Sequence, residues 1–183
     1  MLYYAIQDRT TGEDEFIRRA VRALRMEPQR FFAPKRVLKE NRKGKMIRRL
    51  HPVFPGYVFF ETESLEVEDR WKIRRIDGFF RFLNQTSNPL PLSDNDRQLL
   101  LRFISFGKVA DISKVTFDEN QRIVVLEGPL KGLEGRIVKV DRRRGRAKVS
   151  LDICETGFLI DFGFEAVTKV AQGPEATHDG TGS

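Results

Sequence analysis

Apolar positions in the first hundred residues switch repeatedly between alternation and helical spacing. Leu2–Gln7 reads as a strand. From Glu13 to Met26, residues Phe16, Ile17, Ala20, Val21 and Leu24 recur on one helical face. Thr10 or Thr11 is expected to cap that helix, Glu13, Asp14 and Glu15 complement its dipole, and Pro28 ends it. Phe31–Lys39 and Lys45–Leu50 read as two strands joined by a glycine-containing turn, Asn41-Arg42-Lys43-Gly44. Pro52–Glu61 has strand character interrupted at Pro55-Gly56, a break that belongs at an edge or bend and exposes the neighbouring aromatics. Ser64–Ile76 carries helix signals at Val67, Trp71, Ile73 and Ile76, with Gly78 as its stop. Phe79–Leu83 is a short aromatic strand. After an irregular Asn88–Pro91, Ser93 with Asp96 starts a third helix through Ile104, with Leu99, Leu100 and Phe103 inward. The order β-α-β-β-β-α-β-α implies an α+β sandwich, helices against an antiparallel sheet.

The pattern changes after residue 105. Ser105–Phe117 has few packing signals and reads as a flexible linker, whereas Phe117–Val170 is all strand and turn, of a size that closes as a small barrel. Within it, Ile123–Leu126 and Arg136–Val140 flank a turn carrying Gly128, Pro129, Gly132 and Gly135, and Ala147–Leu151 follows a basic hairpin tip at Arg142–Arg146. Glycines at those offsets permit positive φ and close backbone approach, as a strongly bent sheet requires. The expected organisation is a domain over 1–105, a linker over 106–116, a second domain over 117–171, and a disordered tail over 172–183 rich in Gly, Thr and Asp.

Charge sharpens this outline. The 183 residues carry a formal net charge of +7 and a pI near 9.7, which favours a polyanionic partner. Residues 1–105 hold 21 basic and 14 acidic side chains, and the remainder 12 of each. The main electrostatic attraction therefore lies on the first domain. Lys35, Arg36, Lys39, Arg42, Lys43, Lys45, Arg48 and Arg49 crowd one predicted hairpin, opposed only by Glu40. Lys131, Arg136, Lys139, Arg142, Arg143, Arg144, Arg146 and Lys148 form a second cluster. Both fall on projecting tips and are candidates for contact with nucleic acid, against the plainer reading of solvated hairpins. Fifteen phenylalanines are many for two small cores, so an exposed apolar patch is expected.

Catalytic chemistry has no visible carrier. Cys154 is the single cysteine, and His51 and His178 lie far apart, which excludes an internal disulfide and a multi-cysteine zinc site. HExxH, GxSxG and GxxxxGK[ST] are absent, and the glycines at 128, 132 and 135 lead into a strand, not a helix that could receive phosphate. No metal or cofactor is expected. No apolar run approaches the ~18 residues needed to span a bilayer, and the opening MLYYAIQD lacks the features of a signal peptide, so a cytoplasmic, non-enzymatic protein is the expectation.

Two strings carry a resemblance. Residues 122–151 resemble the KOW motif, a docking module of transcription factors and ribosomal proteins. Upstream, Phe54-Pro55-Gly56-Tyr57-Val58, the opening Tyr3-Tyr4-Ala5-Ile6-Gln7, Pro34 and the Trp71–Phe82 segment resemble NusG-type transcription elongation factors. The resemblance spans nearly the whole chain apart from the tail. It implies an N-terminal NusG domain joined to a small KOW barrel, and binding to the clamp helices of RNA polymerase's largest subunit through Tyr4, Phe54, Pro55, Gly56 and Tyr57, with Phe79 and Phe82 at the margin. It further places the Lys35–Arg49 hairpin near upstream or bubble DNA, with nascent RNA as a further ligand, and implies a monomer that suppresses pausing and termination.

Two departures tilt the resemblance toward a specialised paralog similar to the LoaP group, which acts on particular operons. Cys154 stands where many housekeeping members present an aromatic to ribosomal or termination partners, and both basic tips are unusually dense. A general elongation factor stays open as the alternative, as does, more remotely, a KOW-containing ribosomal or RNA-binding protein. The KOW domain's own partner is left undetermined. β-Branched residues throughout the KOW strands do not support the all-helical alternative form of the RfaH group.

Overall fold

The computed structural model describes residues 1–9, 12–85, 87–105 and 107–167; the expected tail lies outside them. Four strands form the central antiparallel sheet: β1 (Leu2–Asp8), β2 (Phe31–Phe32), β5 (Tyr57–Thr62) and β6 (Phe79–Phe82), in the order β2-β5-β1-β6. Between them in sequence run α1 (Glu13–Leu24), the hairpin β3 (Lys35–Arg42) and β4 (Lys45–Pro52), and α2 (Val67–Arg74). α3 (Asp94–Ile104) follows, with Ser93 Oγ accepting the Asp96 N–H at 3.2 Å, the N-cap its sequence predicts.

Period-2 alternation divides the central sheet into two apolar faces. Tyr4, Ile6, Phe31, Val58, Phe60 and Phe82 pack with Phe16, Ala20 and Leu24 of α1 and Ile73 of α2. Tyr3, Ala5, Phe32, Tyr57, Phe59 and Leu83 face the other way, with Leu100 and Phe103 of α3. The α1 start differs from expectation: its N-cap position is Gly12, whose N–H donates to Asp8 Oδ2 at 3.1 Å, while Thr10 and Thr11 lie outside the described residues. The predicted strand Phe31–Lys39 is broken at Ala33-Pro34, where proline has no N–H for a ladder. Trp71, one of the apolar helix signals of α2, is 56% exposed.

The span read as a flexible linker is largely ordered strand. β7 (Val109–Ala110) adds in parallel to β3, and β8 (Ser113–Phe117) opens the C-terminal sheet. That sheet also contains β9 (Ile123–Glu127), β10 (Ile137–Asp141), β11 (Arg146–Ile153) and the eleven-residue β12 (Thr156–Ala166), in the order β10-β11-β12-β8-β9. Val115, Val125, Leu130, Ala147, Val149, Leu151 and Ile160 fill this small barrel.

Of the three turn glycines, Gly128 carries the steric demand. Its φ is +97°, and a Cβ there would stand 2.7 Å from Ser113 Cα. Gly132 also has positive φ, but Gly135 does not, and a Cβ at Gly135 would meet nothing within 4 Å. The close approach is thus made by one glycine, because only Gly128 crosses β8. Gly128→Ala is expected to destabilise the protein by about 2 kcal/mol or more, and Gly135→Ala to stay within about 0.5 kcal/mol of the parent. Paired urea denaturation curves check this contrast.

Candidate functional site

The Phe54–Tyr57 string forms a tight turn. The Tyr57 N–H donates to Phe54 O at 3.1 Å, and Gly56 sits at φ +77°, the type II geometry that Pro-Gly favours. Two further bonds fix the turn: Gly56 N–H donates to the buried carboxylate of Glu13 at 2.7 Å, and Gly56 O accepts the Asp8 N–H at 2.8 Å. Glu13, which sequence inspection assigned only to the helix dipole, therefore anchors the turn from the first residue of α1. No local signal marks that role, since the two residues are 43 positions apart.

The turn presents Phe54 and Tyr57 to the C-terminal barrel. Phe158 of β12 packs edge-on against both, with ring centroids 5.6 Å from Phe54 and 5.2 Å from Tyr57. Tyr57 Oη donates to Thr156 Oγ1 at 3.0 Å. Phe103 of α3 stacks on Phe162 at 5.6 Å, and Cys154 N–H donates to Asp96 Oδ1 at 3.1 Å. One apolar cluster thus runs through both domains. Tyr57 is only 3% exposed, and Phe54 is fully buried.

These positions correct the expected contact surface. Tyr4 and Phe82 are buried on the opposite face of the central sheet, under α1 and α2, with Phe79 packed beside them. They cannot share a surface with Phe54 and Tyr57. Pro55 is exposed at the turn, whereas Gly56 is buried. The expected patch of exposed phenylalanines is also not found: among the described residues, Phe80 alone is exposed. Interdomain packing hides the rings that two separate cores would leave uncovered.

The basic clusters sort into three groups. Arg36 is a structural residue, 9% exposed, with Nε donating to Asp161 O at 2.6 Å and Nη1 donating to Pro52 O. Burial pulls its guanidinium down to about 10. Arg146 likewise turns inward, donating to Lys39 O at 3.2 Å near Glu40. Arg142 lies over the Phe117 ring at 3.7 Å and donates to Gln121 Oε1 and O. A second group is ion-paired at the surface: Lys35 with Asp14, Lys39 with Glu165, Arg48 with Asp111, Arg49 with Glu40, and Arg144 with Asp141. Lys131 donates to Leu126 O. The third group, Arg42, Lys43, Lys45 and Arg143, is exposed and has no partner among the described residues. Lys43 and Gly44, at φ +51° and +79°, make the two-residue turn that projects the first three. Of the tip arginines, Arg142 and Arg146 are thus drawn away to Phe117 and to Lys39 O, which leaves Arg143 and Arg144 at the turn itself.

Among the described residues no cluster of His, Cys, Asp or Glu could hold a metal ion, and no helix is long and apolar enough to cross a membrane. Cys154 is buried beside Asp96, and burial pushes its thiol up to about 12, which keeps it protonated and unreactive. Phe158 is the clearest member of the site that sequence inspection missed, since an aromatic within a barrel strand gives no sign of what it faces. Phe158→Ser is expected to weaken domain closure by about 2 kcal/mol. Small-angle scattering should then show a larger radius of gyration with an unchanged strand signal in circular dichroism; an unchanged radius would mean that Phe158 does not hold the domains together.

Two family models match the chain in succession. The family model described as transcription termination factor NusG matches residues 1–101, and the KOW motif model matches residues 119–152. The chain is similar to the transcription termination/antitermination protein NusG of Borreliella burgdorferi, 26% identical over 147 residues covering 75% of this chain and 79% of that one. The Campylobacter jejuni NusG is 24% identical over 174 residues, covering 92% and 97% of the two chains. A solved structure described as domain interaction in Thermotoga maritima NusG aligns over 87% of this chain and 92% of that one, at 19% identity and a TM-score of 0.44. With the first model covering more than half of its length and the second falling on its C-terminal sheet, this chain belongs to the NusG family.

Proposed function

We propose that this chain is a noncatalytic transcription elongation and antitermination factor. Its Phe54–Tyr57 face binds the clamp helices of RNA polymerase's largest subunit, and its β3–β4 tip contacts DNA behind the transcription bubble. Residues 1–105 and 117–171 act as the two functional units, and the form described above is closed. Phe158 seated between Phe54 and Tyr57 carries this reading: a surface that needs an aromatic cover in the free protein is suited to accept an apolar helix face when the cover leaves. Partner binding is then reduced by the fraction of molecules that are open.

The β3–β4 tip suits phosphate contact, because Arg42, Lys43 and Lys45 are exposed and unpaired among the described residues and no aromatic stands between them. The factor works by bridging the polymerase clamp and holding DNA near the fork, and it acts on particular operons. The buried, capped Cys154 supports that specialised role, since it presents no aromatic at the barrel's surface. Occupancy restricted to a few transcription units supports the specialised reading, and genome-wide occupancy contradicts it.

Two measurements test the binding surfaces. Phe158→Ser should bind an isolated clamp-helix hairpin about tenfold more tightly than the parent, as the closed population falls. Adding Tyr57→Ala to that open variant should cost on the order of 2 kcal/mol, about thirtyfold in affinity; undiminished binding removes Tyr57 from the surface. Separately, Glu at positions 42, 43 and 45 should lower DNA affinity and flatten its salt dependence, since fewer counterions are released. An unchanged salt slope would make the tip a solvated hairpin.

A further inference from the structure

Domain closure also brings the two basic clusters together. Between the β3–β4 hairpin and the β10–β11 turn lies a cleft of about 800 Å³. Lys39, Asn41 and Met46 line it from the N-terminal domain, and Arg143, Arg144 and Arg146 from the barrel. A smaller cavity of about 170 Å³ shares Arg144 and Arg146 and adds Lys139 and Lys148. The larger cleft has walls that neither domain alone supplies, whereas the smaller cavity lies wholly on the barrel.

The electrostatics of the cleft are unfinished. Glu40 and Asp141 line it, and Glu165 and Asp161 take Lys39 and Lys148. Across the two cavities six cations thus meet four carboxylates. Arg143 has no partner among the described residues, and Arg144 reaches Asp141 only at 3.8 Å. Arg146 forms the floor of the cleft, donating through one terminal nitrogen to Lys39 O beside Glu40 Oε1 at 3.9 Å, while its Nε is buried without a hydrogen-bond partner among the described residues. Buried donors are rarely left so. A phosphate in the cleft would find the exposed heads of Arg143 and Arg144, an amide at Asn41, and an exposed apolar side chain at Met46 against which a base can lie.

We propose that this interdomain cleft binds the backbone of a single-stranded nucleic acid, and that only the closed form holds it. The proposal rests on the nucleic-acid reading above but names a different site from the β3–β4 tip. The cleft's volume suits one or two nucleotides, not a duplex, and a positive groove with few base-reading groups favours sequence-tolerant binding. Because the ligand needs both domains, it stabilises closure and opposes clamp-helix binding to the same degree, by linkage.

The test uses the full chain and labelled eight-nucleotide single strands of RNA and of DNA with one sequence, titrated by fluorescence anisotropy. Phe158→Ser keeps every cation yet separates the walls, so its affinity should fall about five- to tenfold, the loss of effective concentration when two half-sites part. Gly163→Leu provides a second opening variant, because a Cβ at Gly163 would stand 3.0 Å from Val37 O of β3 and push β12 away. Arg143→Gln should weaken binding in the closed parent and have little effect in either open variant. A preference for RNA over DNA of the same sequence identifies RNA as the source of the strand, and equal affinities identify the phosphodiester backbone as the shared determinant. Open variants that bind as tightly as the parent would overturn the composite cleft and leave the basic-tip reading standing. A parent that binds neither strand, nor duplex DNA, would overturn both.

Discussion

The arrangement depends on one aromatic insertion. Phe158 stands on the barrel strand β12 and fills the gap between Phe54 and Tyr57, rings that the Pro55-Gly56 turn holds outward. Removing that ring exposes two large aromatics at once, and filling their gap with a partner's side chain restores what closure supplied. A single side chain's burial is worth a few kcal/mol. That is large enough to keep the domains together and small enough for a macromolecular partner to displace.

Around this contact the polar groups are arranged to fix position more than to add stability. Arg36 donates across the interface to Asp161 O, Arg146 to Lys39 O, and Lys39 pairs with Glu165. Exposed ion pairs contribute little on average, but buried donors such as Arg36 tolerate few alternative registers. Charge therefore sets how the barrel sits on β3, while the phenylalanines supply the driving force. The same placement divides the basic residues, with some committed to the interface and others left for solvent or a polyanion.

Much of the fold was legible in the sequence because its causes are local. The α3 cap at Ser93, the Lys43-Gly44 turn and the alternation in β1 and β5 each follow from neighbouring residues. The candidate site was legible only in part. FPGYV marked the turn, but Tyr4 and Tyr57 face opposite ways because β1 and β5 pair Tyr4 with Phe60 and Gln7 with Tyr57, a register that alternation within either strand does not reveal. Arg36, Arg142 and Arg146 looked like ligand-binding charge, because sequence spacing does not reveal a carbonyl or ring 21 to 125 residues away. The segment 107–117 lacked a strong periodic signal, as its short strand β7 is held by pairing to β3 and not by an apolar pattern of its own.

The central claim is that the free protein is closed, with Phe158 covering Tyr57. Backbone ¹⁵N relaxation of the full chain tests it most directly, because linked domains that tumble separately have distinct rotational correlation times. The account predicts one correlation time shared by the central sheet and the barrel, and two shorter times in the Phe158→Ser protein. Two independent times in the unaltered chain would contradict it.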